Sequence, residues 1–336
     1  MKEKNITSYK GFDKNLKCRG FQYKVGEEYE ENGKIAVCMN GFHACKNPFD
    51  VLDYYGSINN RFCVVEQSGT LIGDGIKTAS SHINIKAEIG WDGLFKAGVE
   101  WLKEVTNPTE IINETKNSQS YCNDNGGDYV QIGSSGDSAK IGSSGDYAKI
   151  GSSGNFAQIG SSGNFAQMGS SGDSAKIGSS GYFANIGNSG NSVKIGSSGY
   201  SAKIGSSGDS VKIGSSGDSV KIGSSGDYAK IGSSGDYAQI GSSGYSAKIG
   251  SSGDYAQIYS NGENSVICCA GRNSVAKAKQ GSWITLAEWE CNEEKKLHVP
   301  KCVKTEYVDG ERIKADTWYK LVDGEFKKVE MSTTHH

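Results

Sequence analysis

The sequence predicts a mainly β protein: a β-solenoid joined to a small N-terminal α+β domain and a C-terminal β-hairpin tail. Three observations lead to this prediction. Residues 126–258 repeat every nine positions, each repeat carries two apolar residues spaced two apart, and the 336 residues include 47 glycines but only 3 prolines. A short, strict period of this kind is typical of stacked coils that bury one narrow core between neighbours.

The nine-residue repeat has the form G-S-S-G-D-S-A-K-I. Ile or Met falls at every ninth residue from Ile132 to Ile258, and Ala or Val stands two positions before each of them. Alternation with a period of two predicts a short strand with both apolar side chains on one face. We therefore expect a strand at Ala-x-Ile and a turn at the following Ser-Ser-Gly-Asp. A disordered linker would not keep so strict a register.

Position six of the repeat indicates how many repeats form one coil, because equivalent residues of successive coils stack. Taking every second repeat gives a column in which six of eight residues are aromatic: Tyr129, Tyr147, Phe165, Phe183, Ser201, Ser219, Tyr237 and Tyr255. The alternate column has only two aromatic residues in seven. This segregation favours coils of 18 residues with two strands each, and it leaves a three-sided coil as the alternative.

Residues 1–115 are expected to form the α+β domain. The runs "NGKIAVCM", "NRFCVVEQSGTLI" and "SHINIKAEI" predict strands, and "NPFDVLDYY" predicts a short helix that begins at Asn47 with Pro48 in its first turn. Apolar residues from Trp91 to Val105 recur at i, i+3, i+4 and i+7, which predicts an amphipathic helix whose apolar face packs on the core.

The remaining boundaries follow from changes in composition. Polar residues 116–125 are expected to form a connector, and residues 126–282 the solenoid, with a degenerate C-terminal cap after Ile258. Residues 283–336 are expected to form a tail of β-hairpins. Its turns are predicted at the two "VDGE" sequences, 308–311 and 322–325, because Asp-Gly favours tight hairpin turns.

Charge and cysteine content limit the classes of function. The net charge is −2 and the pI is about 6.2, so the overall charge gives no reason to expect general binding to nucleic acid or to a membrane. The first residues contain no apolar segment, and nine cysteines cannot all pair. These features predict a cytoplasmic protein with reduced thiols, without a membrane partner and without a cofactor.

The outward positions of the repeats are the first candidate binding surface. Between residues 128 and 258 the only charges are nine Asp and nine Lys, which indicates a neutral, striped surface that serves solubility and register. The alternative is a binding face on which aromatic rings flanked by lysines hold bases and phosphates, or a protein. Its residues would be Tyr129, Tyr147, Phe165, Phe183, Tyr237 and Tyr255, with Lys140 and Lys149.

The sequence offers little for metal binding or catalysis. The calcium-binding nonapeptide G-G-x-G-x-D-x-U-x places its Asp and its large apolar residue at other positions, so no metal is predicted in the array. Cys38, His43 and Cys45 lie close together but lack zinc-site spacing. His43 is a weak candidate for a general base near Cys45, and a structural histidine is the more common case.

Three stretches together resemble a family of uncharacterised phage and prophage proteins. They are "CRGFQY" with "GFHAC" near the N-terminus, the glycine-rich nonapeptides, and "VDGERIKADTWYKLVDGEF" near the C-terminus. The resemblance implies a viral or prophage origin and an intracellular life in a bacterium. It brings no established reaction.

Two further likenesses cover parts of the chain. "GNSVKIGSSG" at 190–199 is similar to the head repeats of trimeric autotransporter adhesins, which implies a left-handed β-roll and keeps a homo-oligomer open. "YKGF" followed by "GFHACKNPFDVLDYY" looks like a strand and a helix of ADP-ribosyltransferase-like folds, although a catalytic glutamate is not evident within residues 1–115.

We therefore expect a phage-encoded, non-enzymatic binding protein. In this hypothesis the solenoid surface engages a host bacterial protein or a nucleotide-type ligand, with inhibition of a bacterial defence system as one purpose. The alternatives are an ADP-ribosyltransferase-like enzyme in the N-terminal domain and a structural component of a virion or scaffold.

Overall fold

The structure is a computed structural model that describes residues 5–107, 122–125 and 127–329. The chain divides into two compact units, Met1–Trp101 and Leu102–His336. Most of the connector predicted at 116–125 lies outside the described residues. The molecule is mainly β and contains a β-solenoid, as the repeat predicts.

The N-terminal unit is built on one antiparallel sheet, here called sheet I. Its strands lie in the order β4-β7-β5-β1-β6, and β6 also pairs with β7, so the sheet closes on itself. The strands of this unit are β1 Ile6–Phe12, β2 Lys17–Cys18, β3 Phe21–Gln22, β4 Glu28–Glu30, β5 Phe42–Cys45, β6 Arg61–Gly73 and β7 Lys77–Glu88, with β2 and β3 forming a separate small hairpin.

Two helices complete the N-terminal unit. A 3-10 helix spans Pro48–Asp53, and the side chain of its N-cap, Asn47, accepts a hydrogen bond from the backbone N–H of Phe49, as the Asn-Pro sequence predicts. The predicted amphipathic helix is α1, Gly90–Val105. The ring centre of Phe49 lies 5.4 Å from that of Phe95, so this contact joins the two helices.

One predicted strand is wrong. The sequence "NGKIAVCM" forms a tight turn, in which only the Ala36–Asn40 bridge is paired, because the backbone of Cys38 is left-handed with φ of 65°. Of this apolar run only Ile35 is buried, so hydrophobic residues alone did not specify a strand here.

The solenoid has two parallel sheets, and its coils contain 18 residues with two strands each, as the aromatic column predicts. Consecutive strands belong alternately to sheet II and sheet III, and Lys140, for example, is in register with Gln158. Sheet II contains β8 Cys122–Asn125, β10 Lys140–Ser143, β12 Gln158–Ser161, β14 Lys176–Ser179, β16 Lys194–Ser197, β18 Lys212–Ser215, β20 Lys230–Ser233, β22 Lys248–Ser251, β24 Val266–Cys269, β26 Trp283–Asn292 and β27 Leu297–Tyr307. Sheet III contains β9 Gln131–Ser134, β11 Lys149–Ser152, β13 Gln167–Ser170, β15 Asn185–Asn188, β17 Lys203–Ser206, β19 Lys221–Ser224, β21 Gln239–Ser242, β23 Gln257–Ser260, β25 Val275–Ala278, β28 Tyr319–Val322 and β29 Glu325–Lys328.

The strand and the turn of each repeat lie one or two residues later than the sequence suggested. The strand is Lys-Ile-Gly-Ser, and the turn is formed by positions four to six, where Tyr147, for example, is left-handed with φ of 57°. The Ala and Ile columns do face the interior, together with the Ser at position two. Since Ala precedes the strand yet still points inward, Ala-x-Ile alternation alone could not fix where the strand begins.

Aspartate or asparagine at position five links neighbouring coils. The side chain of Asp209 accepts a hydrogen bond of 2.8 Å from the backbone N–H of Asp227, and the N–H of Ser192 donates to the carbonyl of Asp209 at 2.8 Å. The same pair of bonds recurs along both turn columns. These side chains therefore hold neighbouring coils in register. The sequence predicts that the charged rows serve register, and these hydrogen bonds are the means by which the aspartates do so.

The C-terminal hairpins extend the solenoid sheets. β26 continues sheet II in parallel and then pairs with β27, while β28 and β29 extend sheet III. The turn predicted at 322–325 is confirmed, with positive φ at Asp323 and Gly324. The turn predicted at 308–311 is wrong: Asp309 instead caps an irregular loop by accepting from the backbone N–H groups of Glu311 and Ile313.

Candidate functional site

A cavity of about 690 Å³ lies within the N-terminal unit. Residues of β1, the β2–β3 hairpin, β5, the turn at Cys38 and the end of the 3-10 helix surround it. Its volume falls in the usual range for small-molecule sites, roughly 300–1,000 Å³. We refer to it as the N-terminal pocket.

A buried lysine is the most unusual group of this pocket. Ser8, Lys10 and Phe12 occupy the inward face of β1, and Lys10 is only 4% exposed. Its Nζ donates a hydrogen bond of 2.7 Å to the carbonyl oxygen of His43, and its other polar neighbour is the Sγ of Cys18 at 3.6 Å. Burial lowers the pKa of Lys10, because the charged ammonium loses most of its hydration.

Aromatic rings surround this amine. The Nζ of Lys10 lies 5.5 Å from the ring centre of Phe12 and 5.4 Å from that of Tyr23. Phe21 is half exposed, and its ring centre lies 4.8 Å from that of Tyr23 in an edge-to-face arrangement. Phe21 and Tyr23 both line the pocket, so an aromatic wall stands beside a cationic group.

Cys18 and Tyr55 form a second polar pair in the wall. The hydroxyl of Tyr55 donates to the Sγ of Cys18 at 3.0 Å. Burial and this thiol neighbour both raise the pKa of Tyr55, so its hydroxyl stays protonated and remains a donor at neutral pH.

Two further cations, Arg19 and Lys77, line the pocket, and two residues of its wall have unusual backbone. Arg19 and Cys38 both line it with positive φ, 50° and 65°, and neither is a glycine. Such backbone is uncommon and clusters at functional sites. The Nζ of Lys77 lies 4.7 Å from the ring centre of Tyr54, and its pKa is raised, first by a hydrogen bond with Cys38.

His43, the weak catalytic candidate, lies in the pocket wall. Its Nε2 accepts a 3.0 Å hydrogen bond from the backbone N–H of Cys38, which assigns the proton to Nδ1. Burial lowers the pKa of His43, and it raises the pKa of Cys45 to about 12. The imidazole is therefore neutral and holds the turn at Cys38, while the Cys45 thiol is protonated at neutral pH.

Three carboxylates also line the pocket: Glu30, Glu31 and Asp53. Glu30 lies 3.4 Å from the Nε2 of His82, and Glu31 accepts a hydrogen bond from the backbone N–H of Gly33. Sequence analysis did not single out these residues or Lys10, since they come from separate strands and turns. Lys10 did carry a signal, a charged residue on the inward face of a strand.

The aromatic rings of the column form two stacks, which are separated by Ser201 and Ser219. Tyr129, Tyr147, Phe165 and Phe183 lie with ring centres 4.8–5.1 Å apart and planes within 7° of parallel, and Tyr237 stacks on Tyr255 at 5.0 Å. A base between two rings would need about 7 Å, which is two van der Waals contacts of about 3.5 Å. Within each stack the rings therefore occupy one another's faces and present edges to solvent, and only the outer faces of the end rings lack a parallel neighbour from the column.

The two candidate lysines do not lie together. Lys140 is in sheet II, whereas Lys149 is in sheet III. The aromatic column follows only the turns that lead from sheet II to sheet III, since Tyr147 connects β10 to β11. The eight candidate binding residues thus spread over one turn column and two opposite sheets.

The described residues include no group of three or more His, Cys, Asp or Glu side chains that could hold a metal ion. Within the same ranges, no helix has the length and apolar character needed to cross a membrane. The eight cysteines whose side chains the structure describes are free thiols.

The N-terminal residues 6–97 match the model of a family described as "Domain of unknown function (DUF7666)". No significant match was found among curated proteins or among solved structures. The matched segment contains every residue that lines the N-terminal pocket. The N-terminal domain is therefore similar to a family of unknown function, and the pocket lies within the matched part.

Proposed function

We propose that this chain is a non-enzymatic binding protein whose N-terminal pocket takes a small aromatic anion of nucleotide type. The observation that carries this proposal is Lys10, a nearly fully buried amine with one oxygen acceptor, in a cavity large enough for a ligand.

An anionic ligand would stabilise the charged form of Lys10. An ammonium group has three donors, and within the described residues Lys10 uses one on the carbonyl of His43 and directs another to a weak sulfur acceptor. A phosphate oxygen would supply a strong acceptor and an opposite charge in a poorly hydrated site. Binding would then raise the pKa of Lys10 towards its ordinary value.

The rest of the pocket suits the aromatic part of such a ligand. Phe21 offers a half-exposed ring, and Arg19 and Lys77 add positive charge around the cavity. Cations beside aromatic rings form a recurrent arrangement for nucleotide-type ligands.

The geometry favours binding over catalysis. His43 already accepts a hydrogen bond, Cys45 is a protonated thiol, and Glu31 caps a turn. His43 and Cys45, the base and the thiol considered from the sequence, form no hydrogen bond with each other in the described part of the pocket, and such a pair is what activates a side chain for attack.

Isothermal titration calorimetry tests the proposal with ADP, and with adenosine as the uncharged comparison. We expect ADP to bind and Lys10→Met to weaken it by roughly 10- to 100-fold, the range for a hydrogen bond to a charged group. Lys46→Met, at an exposed position, is the matched control. Equal affinity for ADP and adenosine, or unchanged affinity in Lys10→Met, would contradict the proposal.

An ADP-ribosyltransferase-like activity is the second candidate. Glu30 and Glu31 line the pocket, which provides carboxylates inside the N-terminal domain that the sequence did not reveal. Consumption of NAD that is abolished by Glu30→Gln and by His43→Ala would support it. Binding of NAD without turnover would favour the binding protein.

We also propose the origin and location that the sequence resemblance implies, a phage-encoded protein in the bacterial cytoplasm. There it would inhibit a bacterial defence system, either by sequestering a host ligand or by binding a host protein. Deletion of the gene should then lower phage growth only in a host that carries such a system. Recovery of the chain from purified particles by mass spectrometry would instead support a virion component.

A further inference from the structure

A row of five lysines runs along the outward face of sheet II. The five consecutive strands of sheet II from β14 to β22 each contribute their first residue, and these residues are in register: Lys176, Lys194, Lys212, Lys230 and Lys248. We call this set the lysine row. At about 4.8 Å per strand, the row is about 19 Å long.

The lysine row is exposed and unpaired. All five side chains are exposed, and none forms an ion pair or side-chain hydrogen bond within the described part of the chain. Like charges directly opposite each other in a sheet repel and destabilise it. The repeat thus keeps a charge arrangement that favours an anionic partner.

The surface beside the row is open. The glycine at position one follows each lysine on the outward face, and at Gly196, Gly214 and Gly232 a methyl group would meet no atom within 4 Å. A shallow groove of about 850 Å³ runs from Lys194 to Cys268 along these residues. An extended chain could therefore lie along the lysines against a flat glycine floor.

An aromatic pair lies at one end of the row. In register, Lys248 on β22 is followed by Val266 on β24 and then by Trp283 on β26, and Trp283 pairs with Tyr307 on the adjacent strand β27. Trp283 and Tyr307 are 47% and 41% exposed, and their ring centres lie 5.1 Å apart. Unlike the rings of the aromatic column, these two stand at the end of a basic groove.

We infer that sheet II binds single-stranded nucleic acid, with phosphates along the lysine row and a base on the Trp283–Tyr307 pair. Basic grooves with aromatic platforms are the usual means of holding single strands without reading their sequence. The exposed rings favour nucleic acid over an acidic peptide, which has no bases to stack.

The width of the basic strip favours a single strand over a duplex. Both edges of sheet II carry carboxylates in the adjoining turns, as at Asp209 before β18 and Asp218 after it. A duplex laid on this face would bring its second backbone over one of these acidic edges. One strand fits between them.

Fluorescence anisotropy with labelled dT20 and rU20, measured from 25 to 200 mM salt, tests the inference on the full chain. If five phosphates are neutralised, log K should fall with log[salt] with a slope of about −3.5, at about 0.7 per contact. The variant Lys194→Gln/Lys212→Gln/Lys230→Gln should reduce this slope to about −1.4. The control Lys34→Gln/Lys46→Gln/Lys295→Gln removes equal charge at exposed sites elsewhere and should keep the slope.

Trp283→Leu separates stacking from charge. It should weaken dT20 roughly tenfold, within the range for one stacked base, and leave the salt slope unchanged. Circular dichroism confirms that each variant is folded. The inference is overturned by the absence of binding at 25 mM salt, by equal losses in the control triple variant, by tighter binding of a 20-base-pair duplex, or by equal binding of a 20-residue polyglutamate.

Discussion

Glycine at position four of the repeat is required by space, and Gly208→Ala tests this directly. A methyl group on Gly208 would lie 1.9 Å from the carbonyl oxygen of Gly190 in the preceding coil. Neither residue has positive φ, so backbone conformation is not the reason for glycine. The same approach, 1.8–2.1 Å, recurs at position four of every repeat from Gly145 to Gly271.

The cost of Gly208→Ala follows from what must move. The two turns would have to separate by more than 1 Å to reach an ordinary contact, roughly 3.5 Å. Such overpacking costs about 1–3 kcal/mol. The separation would also stretch two bonds, from the N–H of Ser192 to the Asp209 carbonyl and from the N–H of Asp209 to Asn191. At about 0.5–1.5 kcal/mol for each bond, the total loss of unfolding free energy is about 2–6 kcal/mol.

Gly214→Ala is the matched control in the same coil. A methyl group there meets no atom within 4 Å, and φ is not positive. Replacement should be neutral or stabilise by about 0.4–1 kcal/mol, because alanine restricts the unfolded chain. Urea unfolding followed by circular dichroism, with the m-value unchanged, measures both variants. Equal free energies of unfolding for the two variants would refute the argument from close approach.

Three further predictions concern charge and protonation. ADP affinity should fall as pH rises above the lowered pKa of Lys10, because an anion needs the ammonium form, and Lys10→Met should bind weakly without this dependence. Burial raises the pKa of Cys269 to about 12, so the folded state keeps a proton that the unfolded thiol loses above about pH 9. The free energy of unfolding should therefore fall by up to about 1.4 kcal/mol per pH unit between pH 9 and 12, and Cys269→Ser should remove this fall. Urea unfolding measures both proteins, and the same pH dependence of the unfolding free energy in the two would contradict the prediction. Asp209→Ala removes the acceptor of the Asp227 N–H and should cost about 1 kcal/mol, while Asp209→Asn should cost little, since Asn155 and Asn191 fill the same role.

The sequence specified the solenoid because its information is local and repeated. The column from Tyr129 to Phe183 gave the coil size, since stacked positions share chemistry. The residues at which each strand begins and each turn follows were harder to predict, because Ala, Ile and the interior Ser all face inward although Ala lies outside the strand. The left-handed backbone at position six, where Ser or an aromatic residue stands, could not be predicted from the sequence. The glycine of the turn stands two positions earlier, at position four, and is required there by close approach to the preceding coil.

The N-terminal pocket was much harder to predict. Lys10, His43 and Lys77 lie on β1, β5 and β7, which are distant in sequence and become neighbours only in sheet I, and Arg19 lies in the separate β2–β3 hairpin. No spacing within one segment encodes such a site. The apolar run "KIAVCM" predicted a strand that does not form, because the left-handed backbone at Cys38 turns the chain back.

The two repeats of a coil are equivalent inside and different outside, so changes in length have a natural step of 18 residues. Removing two consecutive repeats would shorten both sheets and leave every downstream residue on its own sheet. Removing one would preserve the Ala and Ile interior but exchange the sheets beyond it. Without residues 207–215, for example, Lys194 would be followed on its sheet by Lys221 and then by Gln239. The core therefore tolerates either change, and only the outward surface distinguishes an odd number of repeats from an even one.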